Sequence, residues 1–196
     1  MALALAFATL LAGCEGPGAS VTLDATYRLG DCQQSISERD YPEVQILSPE
    51  VTDSGGLWLV RIRAAASSTS RRQEWTFRIA EPADLAADAA QVTSWTARLT
   101  SAVDGATVAE PATAAWRLDD ACGEPAAGWL GGTVEVEIDR SAAPDEITLT
   151  FEGSGDDTLR GGALDAALVR LHGAVGNGVP DTMFEAPPPP RAMRPR

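Results

Sequence analysis

The chain has 196 residues, and its 28 acidic residues outnumber 15 basic ones, so the formal charge is −13 at pH 7. This length suits one domain of about 100–200 residues, and 44% hydrophobic residues suffice for a buried core. The acidity argues against a nucleic-acid partner, because that binding depends on Lys and Arg meeting phosphates. Every basic residue is Arg, which excludes Schiff-base lysine chemistry and the lysine of a phosphate-binding loop.

Residues 1–13, MALALAFATLLAG, are uncharged and mostly apolar, and Cys14 follows directly. A run this short cannot cross a bilayer, which needs about 20 residues, but it fits the apolar region of a signal peptide. Its end, Leu11-Ala12-Gly13-Cys14, resembles the lipobox of bacterial lipoprotein precursors. The resemblance implies cleavage before Cys14, acylation of that cysteine and a short tether over residues 14–20. The alternative is an ordinary apolar start with a chance cysteine.

The same resemblance implies an exported protein whose partner is a membrane, held by acyl chains that contribute about 0.8 kcal/mol per buried methylene. Glu15 rather than Asp follows the cysteine, which favours the outer membrane if the cell has one. Disulfides persist outside the cytosol. Once Cys14 carries lipid, Cys32 and Cys122 remain as an even pair. We expect them to form a disulfide; two unpaired buried thiols are the alternative.

The body of the chain, residues 21–172, repeatedly alternates apolar with polar residues. Such alternation is typical of antiparallel strands with one buried and one wet face. The predicted strands lie around residues 21–29, 44–47, 58–62, 75–79, 95–99, 116–118, 134–138 and 147–151. Seven or eight such strands, with Gly, Pro and Asp between them, predict a mainly β fold. We expect an antiparallel β-sandwich, with a small β-barrel as the alternative.

Two segments depart from this alternation. Residues 82–91 are rich in Ala and begin with Pro, and residues 162–171 place Leu164, Ala167, Leu168 and Leu171 at helical spacing. The sequence therefore predicts one or two short helices. Residues 173–196 are rich in Gly and Pro, which indicates a disordered or polyproline tail.

A calcium site is one hypothesis for the segment 152–162. Gly153, Gly155, Asp157 and Leu159 match part of the calcium-binding nonapeptide repeat, and Asp156 and Asp157 are the candidate ligands. A single copy supplies too few oxygen ligands, because such repeats share calcium between turns. A Gly/Asp-rich turn is the alternative, and a calcium-stabilised adhesion module is the function that the hypothesis would imply.

Catalytic residues are hard to identify. His172 is the only histidine, which excludes a His–His metal pair within the chain, and no G-x-S-x-G elbow accompanies it. Glu135 and Glu137 lie on one face of a predicted strand, about 7 Å apart. Paired carboxylates of this kind could serve a surface hydrolase.

Aromatic residues offer a further candidate site. Trp58, Trp75, Trp95 and Trp116 are in phase with the aliphatic residues of their strands, so we expect them in the core. Trp129 lies in a Gly-rich stretch and is the candidate ligand contact. The sequence thus predicts a lipid-anchored cell-envelope protein whose β domain acts by binding a protein or glycan, or as a structural part. It contains no convincing catalytic set.

Overall fold

The computed structural model describes residues 19–37, 43–52, 55–65, 72–86, 91–99 and 112–176. This part is mainly β, with one helical turn, α1 (Ala83–Ala86). The strands are β1 (Ser20–Leu29), β2 (Cys32–Ser37), β3 (Glu43–Thr52), β4 (Gly55–Ala65), β5 (Arg72–Ala80), β6 (Val92–Leu99), β7 (Ala112–Ala121), β8 (Glu124–Asp139), β9 (Glu146–Asp157) and β10 (Ala163–Ala174).

All described strand pairs are antiparallel and belong to one sheet, in the order β2-β1-β10-β9-β8-β7-β5-β4-β3. The long strand β8 is also the branch point of this sheet. One of its edges pairs first with β7, up to Trp129, and then with β6, from Gly132 onward. Its other edge pairs with β9 along most of its length.

The connection between β2 and β3 shows why the sheet must curl. These strands are the two ends of the sheet order, yet only residues 38–42 separate them in the chain. A linker of that length reaches at most about 20 Å, whereas nine strands laid flat about 4.8 Å apart would put the ends about 38 Å apart. The sheet is accordingly a half-barrel, and the Phe77 and Phe151 rings of β5 and β9 meet inside it at 5.6 Å.

Alternation places the core on the concave face. Trp58, Trp75 and Trp116 are fully buried there, as the sequence predicts. Trp95 is also in phase with its strand but is only partly buried, because β6 pairs with a single described strand and lies beside the main path of the sheet.

Two fold predictions need correction. Residues 162–171 are not a helix; they form most of β10. A β-bulge between Leu164 and Ala167 inserts one extra residue, so the buried positions step from 164 to 167 and only then alternate. That three-residue step imitates helical spacing. The predicted helix over 82–91 is limited to the single turn α1 among the described residues.

The predicted limits of the β domain and its predicted sandwich architecture can also be compared with the structure. β10 continues through Ala174, so residues 173 and 174 belong to the sheet. A sandwich of two separate sheets is not confirmed, since the described strands share one curled sheet. The predicted leader (residues 1–13), Cys14 and most of the predicted tether and tail lie outside the described residues.

Candidate functional site

A shallow groove of about 350 Å³ crosses the convex face of β6, β8 and β9. Glu135 and Glu137 point outward from the middle strand and are exposed. On either side of them the paired residues are hydroxyl-bearing: Ser94 and Thr96 on β6, Thr148 and Thr150 on β9. The groove therefore combines two carboxylates with four hydroxyls.

The two carboxylates stand side by side rather than opposite one another. Residues i and i+2 of a strand project from the same face, so Glu135 and Glu137 reach the same side of any bound molecule. Hydrolysis of a glycosidic bond by paired acids requires one group on each side of the scissile bond. The arrangement suits hydrogen bonding to a polar ligand better than acid–base chemistry.

His172 lies on the same convex face, one strand further along. Its Nδ1 is 3.1 Å from Thr148 Oγ1, and its Nε2 is 3.6 Å from Glu146 Oε2. Hydroxyl, imidazole and carboxylate thus follow the order of a hydrolytic triad. However, β9 is paired on both sides, by β8 and β10, so its backbone N–H groups are occupied and do not form an oxyanion hole beside Thr148.

Asp157, one of the two candidate calcium ligands, belongs to a buried polar cluster. Its Oδ2 accepts a hydrogen bond from the Tyr27 hydroxyl at 2.6 Å and is 3.5 Å from Arg160 Nε. Its Oδ1 accepts the backbone N–H groups of Leu159 and Arg160. Burial raises the pKa of Tyr27 to about 12, and the hydrogen bond to Asp157 adds to this rise.

The cluster holds the β9–β10 turn against the neighbouring β7–β8 turn. Arg160 donates to Tyr27 Oη at 2.9 Å and to the Ala121 carbonyl at 2.8 Å, and it lies 3.6 Å from Glu124. Both carboxylate oxygens of Asp157 are therefore satisfied by protein donors. The contacts of Tyr27 with Asp157 and Arg160 join residues 130 and 133 positions apart, which is why sequence reasoning did not find them.

Asp156, the other candidate calcium ligand, is exposed on the convex face. Consecutive strand residues point to opposite faces, so Asp156 and Asp157 do not converge on one ion. Among the residues that the structure describes, no group of three or more His, Cys, Asp or Glu side chains could hold a metal.

Trp129 projects from the convex face of β8 and is half-buried. Its cross-strand partners are Ala115 on β7 and Asp156 on β9. The same-face neighbours along β8 are Ala127 and Gly131, so mostly small residues surround the indole. An aromatic ring set among small residues, with a carboxylate beside it, can stack against an apolar ring face and offer a hydrogen-bond acceptor.

The predicted disulfide between Cys32 and Cys122 is present and joins β2 to the β7–β8 turn. The side chain of Gln34 reinforces this link. Its Oε1 accepts the Cys122 backbone N–H at 2.7 Å, and its Nε2 donates to the Asp120 carbonyl at 3.2 Å. The side-chain amide of Gln34 thus accepts and donates hydrogen bonds as a strand backbone would, and it joins the edge strand β2 to the β7–β8 turn.

Comparison of the chain with protein-family models, with curated proteins and with solved structures found no match. No helix within the described ranges has the length and hydropathy required to cross a membrane.

Proposed function

We propose that this chain is a lipid-anchored cell-envelope protein whose half-barrel binds a ligand or serves as a structural part. The observation that carries the proposal is the lipobox-like segment ending at Cys14, placed six residues before the first strand at Ser20. The Cys32–Cys122 disulfide supports it, because such bonds persist in exported proteins and are rare in the cytosol.

The binding face that we propose is the convex side of β8, with Trp129 towards one end and Glu135 and Glu137 towards the other. Eight residue steps separate Trp129 from Glu137, or about 26 Å at strand rise. Stacking on the indole, together with hydrogen bonds to the hydroxyls and carboxylates of the groove, suits a glycan. The carboxylates favour a neutral or amino sugar over an acidic one.

Anchoring is tested with Cys14→Ser. We expect this variant to lose globomycin-sensitive processing and to leave the membrane fraction, because the residue that carries the lipid is gone. Ser20→Ala is the matched control, since it keeps Cys14 and alters only an exposed residue at the start of β1. Membrane retention of Cys14→Ser equal to that of the wild type would refute the anchor.

Glycan binding is tested on an array of neutral, amino-sugar and acidic oligosaccharides. We expect a neutral or amino sugar to bind, and Trp129→Ala to weaken that binding at least about fivefold, since a stacking contact with an aromatic side chain is worth about 1–3 kcal/mol. Leu159→Ala is the control, because Leu159 is also exposed but lies in the β9–β10 turn. Absence of binding on the array, or equal binding by Trp129→Ala, contradicts this face.

A further inference from the structure

We infer that the half-barrel stands on the membrane by one particular end, and this inference rests on the proposed lipid anchor. The end that faces the bilayer is the one at which β1 begins. The opposite end, which carries the disulfide and the Tyr27–Asp157–Arg160 cluster, projects away from the membrane. The partner of the first end is the phospholipid headgroup layer.

The covalent connection limits how far the domain can move from its anchor. Only five residues separate Cys14 from Ser20, so the two α-carbons are at most about 20 Å apart. The strand β1 itself has ten residues and is about 30 Å long. The distance from the anchor to the start of β1 is therefore shorter than the length of β1 itself.

The strand register identifies the residues that share this end. Ser20 pairs with His172, Ala174 pairs with Glu146, and Asp139 pairs with both Glu146 and Val92. We call this end the anchored rim, defined by Ser20, Val92, Asp139, Glu146 and Ala174.

The far rim is formed by three turns at the other ends of the same strands. They are the β1–β2 turn at Gly30, the β7–β8 turn at Cys122 and Gly123, and the β9–β10 turn over residues 158–161. Eleven residue steps along β9, from Glu146 to Asp157, place the two rims about 36 Å apart.

Charge indicates that the anchored rim rests on the headgroups rather than inserting among the acyl chains. Asp139 and Glu146 belong to the rim, and Asp145 lies beside them. The nearby Arg140 is bound within the protein, to Glu81 at 2.5 Å and to Thr93 Oγ1 at 2.9 Å. Charged side chains are costly to move into the hydrocarbon core, so the rim stays at the level of the headgroups. These headgroups must be zwitterionic, because anionic lipids repel carboxylates within about one Debye length, 8–10 Å.

Two side chains of equal exposure give a matched pair of reporters. Val92 on the anchored rim is 51% exposed, and Leu159 on the far rim is 49% exposed. Val92→Cys and Leu159→Cys are each labelled with a fluorophore in the full, lipidated chain with its disulfide intact. The chain is then reconstituted in zwitterionic phosphatidylcholine vesicles that contain a headgroup-labelled acceptor lipid.

Energy transfer gives the distance of closest approach from each fluorophore to the headgroup layer. We expect that distance to be shorter for Val92→Cys than for Leu159→Cys by about 20–30 Å, because strands about 36 Å long that tilt by about 35–45° in a curled sheet span about that height. Equal distances would mean that the domain lies on its side, and a shorter distance for Leu159→Cys would mean that it is inverted; either result overturns the orientation.

Flotation separates failure of the orientation from failure of the anchor. A wild-type chain that does not float with the vesicles overturns the anchor, and the orientation with it. A chain that floats but gives equal or inverted distances overturns the orientation alone. Cys14→Ser is the control for transfer that does not depend on the lipid, and we expect it to give none at either site.

Discussion

Tyr27 shows how a single buried hydroxyl couples distant parts of the chain. It is fully buried, donates to Asp157 and accepts from Arg160, and its ring packs 6.1 Å from that of Trp116. Ionisation of the phenol would place a second negative charge against Asp157 without water. Burial of the phenol is the main reason that the pKa of Tyr27 is raised to about 12, and the hydrogen bond to Asp157 and the charge of that carboxylate add to the rise.

That raised pKa predicts a loss of stability at alkaline pH. Between pH 10 and 12 the unfolded chain releases the Tyr27 proton while the folded chain keeps it, so the free energy of unfolding falls as pH rises. The loss is about 2–3 kcal/mol across this window, at about 1.4 kcal/mol per unit. Urea unfolding from pH 9 to 11.5 measures it. Tyr27→Phe should lose this slope; an unchanged slope in that variant contradicts the assignment.

Ala166 is strained by the bulge of β10. Its φ is +48°, a left-handed conformation that costs an L-residue about 1 kcal/mol and costs glycine little. We expect Ala166→Gly to raise the free energy of unfolding by about 0.5–1 kcal/mol in urea. Ala163→Gly is the control at the start of the same strand, and it should lower stability by a similar amount. Destabilisation by both variants would show that the bulge does not strain Ala166.

The edge strand β2 pairs with β1 along one edge, and side chains make the contacts along its other edge. Gln34 bridges it to the β7–β8 turn, and Gln73 of β5 donates to its Ser37 carbonyl at 2.8 Å. Among the described strands, β2 has a backbone partner along one edge only, and that partner is β1. A strand with the composition CQQSIS carries one large apolar residue, so hydrophobic patterning alone does not identify it.

Gln34→Glu tests the bridge with an almost isosteric change. The carboxylate can still accept the Cys122 N–H, but it loses the donor to Asp120 and places negative charge against that carbonyl. We expect a loss of about 1–3 kcal/mol in the free energy of unfolding above pH 6. Gln33→Glu is the matched control, since Gln33 is exposed on the same strand and should change stability by less than about 0.5 kcal/mol. Equal effects of the two variants would contradict the bridging role.

For the molecule as a whole, the disulfide and the curl reinforce each other. Cys32 and Cys122 are 90 residues apart, and they join one end of the sheet order to a turn that the curl brings near. A cross-link over a loop of that length stabilises the folded chain by about 4–5 kcal/mol in the chain-entropy model.

Reduction should remove that contribution. We expect dithiothreitol to lower the free energy of unfolding of the wild type in urea by about 4–5 kcal/mol. The Cys32→Ser/Cys122→Ser double variant serves as the control and should not respond to the reductant. If the wild type exposes two free thiols after reduction yet keeps its stability, the bond does not contribute as proposed.

The placement of acidic and hydroxyl residues is also a property of the whole sheet. Glu135 and Glu137 alternate with buried Val134, Val136 and Ile138, so their outward direction follows from the sequence. That they meet hydroxyls on both sides, with His172 beyond Thr148, depends on which strands neighbour β8. Because residues 162–171 were predicted as a helix, His172 had no partner in the sequence-based prediction.

The amino-acid sequence by itself determined the inward and outward faces of most strands, because alternation is local. Of its three cysteines, it predicted the pairing of Cys32 with Cys122 only through the assignment of Cys14 to the lipid, and the structure shows that pairing. Tertiary structure alone decided the register of the bulged strand β10, the branching of β8 and the meeting of Tyr27, Asp157 and Arg160. These features depend on hydrogen bonds and packing between residues far apart in the chain. Local patterning of apolar and polar residues does not specify such long-range contacts.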